Sequence, residues 1–249
     1  MTDFLPVAVV GVDGAGVMGT QIAQAIATAG CEVRLYDADP AQLPAAMDTI
    51  EKGRFGLRRA VDRGKLAPEQ LRATLARIRP VTTMAEAVGN AGLTVEAVPE
   101  DLDLKCRVFR EMDELAPPRA ILTSNSAGLP ITALAYATGR PGQVVGWHWA
   151  QPCAVMRMAE LVRAPSTTDE TVAIVSALAR SCGKNPVVVK DQPEHWGYVA
   201  NRINAAVRRE ARRVVDEGIC TEEEVDSLMK DCFRWPLGPF ELRGGRTLK

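Results

Sequence analysis

Short apolar runs rich in β-branched residues recur along the first 190 residues, separated by stretches with apolar positions every third or fourth residue. VAVVGV (Val7–Val12) reads as a buried strand, MGTQIAQAIATAG as a helix ending at Gly30, and EVRLYD (Glu32–Asp37) as a second strand. LTVEAV (Leu93–Val98), RAILTS (Arg119–Ser124), QVVGWH (Gln143–His148) and NPVVVK (Asn185–Lys190) continue the series. Apolar runs of this kind suit strands buried on both faces. Strands alternating with helices predict an α/β fold, a doubly wound and mostly parallel sheet with helices on both sides. After Lys190 no further strand is evident. GYVANRINAAVRREARRVVDEGI is one long helical pattern, and TEEEVDSLMKDCF opens with a capping box, Thr221 followed by Glu224. The pattern therefore predicts two domains, 1–190 and a small all-α domain at 191–249, joined near Asp191 to Gly197.

Composition narrows the function classes. The 249 residues are 47% hydrophobic and 24% charged, the ordinary range of soluble globular chains. A net charge of −1 gives no reason to expect nucleic acid or an anionic membrane as partner. No apolar run approaches the roughly 18 residues of a membrane span. The opening MTDFLPVAVVG carries an acid where a signal peptide has bases, so it is read as the approach to a first strand. Six cysteines are scattered without a C-x-x-C pair, and there are two histidines. A metal site is not expected, and reduced thiols in the cytoplasm are.

Between the first strand and the first helix stands G-x-G-x-x-G, with Gly14, Gly16 and Gly19 enclosing Ala15, Val17 and Met18. In that context the first glycine makes a tight turn, the second lets the backbone approach a pyrophosphate, and the third lets helix and strand pack. The helix N-terminus offers N–H groups to the phosphates. Twenty-three residues beyond Gly14, Asp37 ends the second strand, placed to accept hydrogen bonds from an adenosine ribose. A carboxylate there repels a 2′-phosphate, so the cofactor expected is NAD rather than NADP. A tight turn that holds no nucleotide is the bland reading, against which strand, loop, helix and acid agree. Asp13, directly before Gly14, occupies a place where an apolar residue is usual.

GWHWAQPCAVMRMAELV (Gly146–Val162) holds His148 between Trp147 and Trp149, with Glu160 twelve residues on. Two readings of His148 stand at this point, a packed core histidine and a base facing a cleft. Oxidising a secondary alcohol needs a base for the hydroxyl proton, and imidazole titrates nearest neutrality. A carboxylate beside it would fix the tautomer and favour the imidazolium.

Five stretches now stand in register: GAGVMG, VEAVPEDLDLK (Val95–Lys105), SNSAGLPIT (Ser124–Thr132), GWHWAQPCAVMRMAELV, and KDQPEHWGYVANR (Lys190–Arg202). In order and near-identical spacing they resemble the 3-hydroxyacyl-CoA dehydrogenases, from about residue 6 to about residue 240. The resemblance implies a Rossmann-type NAD-binding domain and a helical domain that pairs two subunits into a homodimer. It places the catalytic histidine on His148, its glutamate on Glu160 and a catalytic asparagine on Asn201. It puts Glu100 and Lys105 near the nicotinamide half of the cofactor. Trp149 keeps an aromatic after the histidine and is expected to wall the site, whereas Trp147 is expected in the core.

The chain also departs from that pattern. Ala127 stands where the family has a substrate-holding serine, and Ser126 falls one residue early. Gln151 replaces an asparagine of the cofactor site. Glu194, His195 and Trp196 widen a tight junction after the last strand, and the chain is short after PLGPFEL. His195 is read as a solvated loop residue. The basic segment Glu51–Leu66 corresponds to the family's CoA-side helices, with Arg63 matching a basic residue and Gly56 replacing a serine. The function implied is NAD-dependent interconversion of a 3-hydroxyacyl thioester and its 3-oxo form, in fatty acid metabolism. Two other readings stay open. One is a dehydrogenase of a carrier-protein-bound or free hydroxy acid. The other is an NAD-binding relative with little catalysis.

Overall fold

The computed structural model describes residues 7–241, so the last residues, on which the shortened C-terminus was read, lie outside the described part. The chain divides after Trp196 into two compact units.

The first unit is built on one eight-stranded sheet. Its strands are β1 (Val9–Asp13), β2 (Glu32–Tyr36), β3 (Ile78–Pro80), β4 (Leu93–Glu96), β5 (Ile121–Ser124), β6 (Val144–Trp149), β7 (Met158–Arg163) and β8 (Asn185–Lys190). They lie in the order β3-β2-β1-β4-β5-β6-β7-β8. Every neighbouring pair is parallel except β6 with β7. Strand order reverses between β1 and β4, the point at which sheets of this kind open a crevice beyond their carboxyl ends. The helices are α1 (Val17–Thr28), α2 (Gln42–Lys52), α3 (Leu57–Asp62), α4 (Pro68–Arg77), α5 (Met84–Val88), α6 (Leu102–Leu115), α7 (Ile131–Tyr136) and α8 (Asp169–Ser181). Asp191, just past β8, accepts hydrogen bonds from the backbone N and the hydroxyl of Thr132 at 2.7 and 2.6 Å, which ties it to the start of α7.

Two strands escaped the apolar pattern. β3 is three residues long, too short to carry a signal. β7 reads MAELVR, and its glutamate and flanking basic residues hide a strand whose middle four residues are all buried. Its antiparallel run sets Trp147 opposite Leu161 and His148 opposite Glu160.

Successive side chains of a strand point to opposite faces. In β6 that sends Val145, Trp147 and Trp149 to one face and His148 to the other. The first face is the main core, where the tryptophans join Val10, Val12, Leu93, Val95 and the buried side of α1. Trp147 and Trp149 are 0% and 2% exposed, and their rings lie 4.7 Å apart, tilted by 37°. Trp149 is therefore a core residue and not a wall of the site, because it cannot share a face with His148. The buried Lys184 ammonium lies 5.2 Å from the Trp149 ring centre and donates to the carbonyls of Cys153 and Met156. It thereby anchors the connection between β6 and β7.

The second unit holds α9 (Val199–Asp216) and α10 (Glu222–Phe233). Ala211, Val225 and Phe240 form its small core. The capping box forms: Glu224 N donates to the Thr221 hydroxyl at 3.2 Å and Thr221 N to the Glu224 carboxylate at 2.7 Å. Buried Asp226 accepts from the N–H groups of Phe240 and Glu241, which closes the segment after α10 onto the helix. Ile203, Leu228 and Phe233 are each at least 61% exposed on this unit. Among the described residues no helix is long and apolar enough to cross a membrane.

The tryptophan pair yields a stability test. Trp147→Ala removes a fully buried side chain from the main core, and urea unfolding is expected to show a loss of about 3–5 kcal/mol. A loss under 1 kcal/mol would contradict the packing described.

Candidate active site

The glycine loop is built for an anionic ligand. Gly14 adopts φ +100°, and a Cβ there would lie 2.7 Å from the Ala97 carbonyl oxygen. A Cβ on Gly19 would lie 1.7 Å from the Gly14 carbonyl oxygen, so helix and loop can close only with glycine there. A Cβ on Gly16 would meet no protein atom within 4 Å. Close packing thus explains two of the glycines, whereas the third faces open space, the place a pyrophosphate would take. Val17 is exposed and starts α1, whose first turn carries no acidic residue to compete with a phosphate. Asp37 reaches this loop: its Oδ2 accepts from Ala15 N at 2.6 Å and its Oδ1 from Asp39 N at 2.9 Å. The parts of the expected NAD site within the loop therefore stand together.

On the face of the sheet opposite the tryptophans, the strand registers align polar residues along the carboxyl edge. Asp13 pairs with Glu96, Glu96 with Ser124, and His148 with Glu160. His148 and Glu160 are 7% and 4% exposed, and His148 Nδ1 lies 2.9 Å from Glu160 Oε2. The family resemblance implied this pair, and the antiparallel run of β7 sets the two residues opposite each other. Asn125, next along from β5, accepts from Trp149 N at 3.0 Å and so ties β5 to the end of β6.

Beneath lies a network the sequence did not reveal. Glu96 is fully buried; Oε1 accepts from Lys105 Nζ at 2.6 Å and Val98 N at 2.8 Å, and Oε2 from Ser124 Oγ at 2.5 Å. Burial pushes its carboxyl up, and Lys105 and the other donors hold it down. Lys105 is 1% exposed; its ammonium also bonds the Val98 carbonyl at 3.1 Å and lies 3.3 Å from Glu100. The expectation that Lys105 contacts the cofactor needs correction, since its charge is engaged inside the protein, where it steadies Glu100. Glu100 Oε1 in turn accepts from Ser126 Oγ at 2.6 Å and Ala127 N at 2.8 Å. Ser126, a substrate-side candidate one residue before the family serine position, turns inward. Its buried hydroxyl also accepts from Gly128 N and Leu129 N, so it folds the loop before α7 rather than facing a substrate. Ala127, the departure from the family serine, is partly exposed at this loop and brings no hydroxyl. An acid inside the otherwise apolar run LTVEAV was the signal that would have pointed to Glu96.

Asp13 is 4% exposed, and its Oδ2 has no hydrogen-bond partner. Burial, aided by Glu96, Asp37 and Glu111, pushes its carboxyl up to about 7.

The remaining expected residues are spread more widely. Gln151 is exposed on the connection from β6 to β7. Arg63, at the end of α3, lines a cleft of about 350 Å³ with Arg54, Arg59, Lys65, Arg157 and Lys184. Glu194, His195 and Trp196 are exposed in the turns that end the first unit, as a solvated loop requires. Asn201 lies in the first turn of α9, in the second unit. Among the described residues no group of His, Cys, Asp or Glu is arranged to hold a metal.

Comparison with known proteins identifies the family. The family model for the 3-hydroxyacyl-CoA dehydrogenase NAD binding domain matches residues 7–192, and that for the C-terminal domain matches residues 197–244. A probable 3-hydroxybutyryl-CoA dehydrogenase of Bacillus subtilis is 38% identical over 93% of this chain and 78% of its own length. The crystal structure of (S)-3-hydroxybutyryl-CoA dehydrogenase from Ralstonia eutropha is 35% identical, covers 94% of this chain and 80% of that one, and superposes with a TM-score of 0.88. A 5-formyl-3-hydroxy-2-methylpyridine 4-carboxylate 5-dehydrogenase of Mesorhizobium japonicum is 34% identical over 90% of this chain and 69% of its own. The chain belongs to the 3-hydroxyacyl-CoA dehydrogenase family, and it is an NAD-dependent oxidoreductase of that family.

Asp13 has a stability consequence. Unfolded, it ionises near 3.8; folded, it keeps its proton to about 7. The folded state binds the extra proton between those values, so rising pH weakens the fold across that window, by a few kcal/mol at most, and no further above it. Asp13→Val removes this penalty. Its stabilisation over the parent, measured by urea unfolding, is expected to grow from pH 4.5 to pH 7 and then level off. A gain that does not change with pH would refute it.

Proposed function

We propose that the chain interconverts a 3-hydroxyacyl thioester and its 3-oxoacyl form, with His148 as general base and Glu160 as its orienting carboxylate. NAD supplies the hydride acceptor. With Nδ1 on Glu160, the nitrogen that takes the hydroxyl proton is Nε2, and ionised Glu160 favours the imidazolium so formed. Gly14, Ala15, Gly16, Val17, Met18, Gly19 and Asp37 hold the adenosine and pyrophosphate half of the cofactor. Glu100 and Gln151 serve the nicotinamide half, and Lys105 acts through Glu100. Asn201 is the catalytic asparagine that the family resemblance implies. The observation that carries this reading is the buried His148–Glu160 pair at the carboxyl edge of an NAD-binding sheet.

A coenzyme A carrier fits the cation-lined cleft at Arg63, since its phosphates need several positive charges at once. The exposed Ile203, Leu228 and Phe233 support a homodimer through the second unit. Fatty acyl turnover in the cytoplasm is the setting we infer. One observation favours a second reading. Ala127 lacks a hydroxyl and Ser126 is turned inward, so the substrate side departs from the family while the cofactor side keeps it. A relative as similar as the Mesorhizobium dehydrogenase is named for a pyridine substrate. A free hydroxy acid or a carrier-protein thioester is thus the alternative substrate.

The test of the chemistry is His148→Gln, assayed by NADH consumption with acetoacetyl-CoA. Turnover is expected to fall by roughly 10²- to 10⁴-fold while NADH binding is kept, and Glu160→Gln is expected to slow turnover as well. An active parent with an unimpaired His148→Gln protein would end the proposed mechanism.

Ala127→Ser separates the two substrate readings. A hydroxyl aimed at a developing charge is worth up to about 10²- to 10³-fold, and a smaller rise on acetoacetyl-CoA is expected if the pocket serves acyl-CoA. No rise, or a loss, would favour the alternative substrate.

A further inference from the structure

Asp13 closes β1 directly before the glycine loop, and the chemistry of His148 makes no use of it. It is enclosed, with one carboxylate oxygen lacking any hydrogen-bond partner. The titratable groups around it are Tyr36 and Asp37 at the end of β2, Glu96 on β4, and Lys105 and Glu111 on α6. Lys105 is the one cation in this set, and its ammonium is already shared by Glu96 and Glu100. The loop also carries a carboxylate, since Asp37 is bonded to Ala15 N. A second ionised acid would therefore place negative charge beside the loop that receives a pyrophosphate.

We propose that the chain takes up its dinucleotide in the form that carries a proton on Asp13, so that cofactor affinity is coupled to that proton. The inference rests on the reading of the glycine loop as the pyrophosphate cradle. The phosphates are anionic at every pH near neutrality, so the titrating partner is Asp13. Below pH 7 the carboxyl is protonated in the free chain and affinity is flat. Above pH 7 the free chain loses the proton and binding must restore it or bear the repulsion, so affinity falls. A single unit charge near a phosphate is worth on the order of tenfold in affinity.

The experiment is NADH titration of the purified chain between pH 6 and 9 at fixed ionic strength, for the parent, Asp13→Asn and Asp13→Val. The parent is expected to lose about tenfold in affinity across that range. Both variants, which have no proton to lose at this position, are expected to keep a nearly constant affinity close to the parent's low-pH value. Calorimetry near pH 8 in buffers of different ionisation enthalpy is expected to show proton uptake on binding by the parent and none by the variants. A parent affinity that does not change with pH, or a slope that persists in both variants, would overturn the inference while leaving the cofactor site in place. Absence of NADH binding at any pH would overturn the cofactor-loop reading and this inference together.

Discussion

A pleated strand cannot turn two consecutive side chains to one side, and the site of this protein depends on that constraint. In β6 the alternation sends Trp147 and Trp149 into the main core and His148 to the opposite face. The same alternation, carried across neighbouring strands by register, lines up Asp13, Glu96, Ser124, His148 and Glu160 on one face. The large aromatic pair fixes the strand from behind and the polar row works in front. A base needs a position that does not wander, and two fully buried indoles behind its strand help to provide one.

The polar row demands its own support. Glu96 and Lys105 are among the most enclosed polar side chains in the first unit, and nearly every donor and acceptor between them is used. The network passes order outward, from Glu96 through Lys105 to Glu100, and from Glu100 to the loop at Ser126 and Ala127. Asp13 is the exception, an acid admitted to the same face without a partner for its Oδ2. Its enclosure pushes its carboxyl up to about 7.

Much of this was legible in the sequence, for physical reasons. Apolar runs bounded by turns announce buried parallel strands, and six of the eight strands were read that way. The glycine loop and Asp37 were legible because their roles depend on backbone space, which glycine spacing encodes directly. The His148–Glu160 pair was legible through resemblance, while its cause, the strand β7, was hidden by charged residues within the run. Burial and facing were the least legible. Nothing in the letters of Ser126 or Lys105 says that their polar atoms turn inward, and an aromatic beside a histidine looks like a site wall until the pleat assigns it to the other side.

The glycine loop bears on how such a chain can drift. Gly19 is held by a carbonyl oxygen that any side chain would strike, so change there is opposed by folding itself. At Gly16 an added Cβ would meet no protein atom within 4 Å. Selection on the fold therefore guards one glycine, and selection on the ligand alone guards the other. A descendant released from its redox role would first lose Gly16 and keep Gly19, leaving an intact fold that no longer accepts a dinucleotide. Among relatives, the residue at that single position would then separate working enzymes from inherited scaffolds.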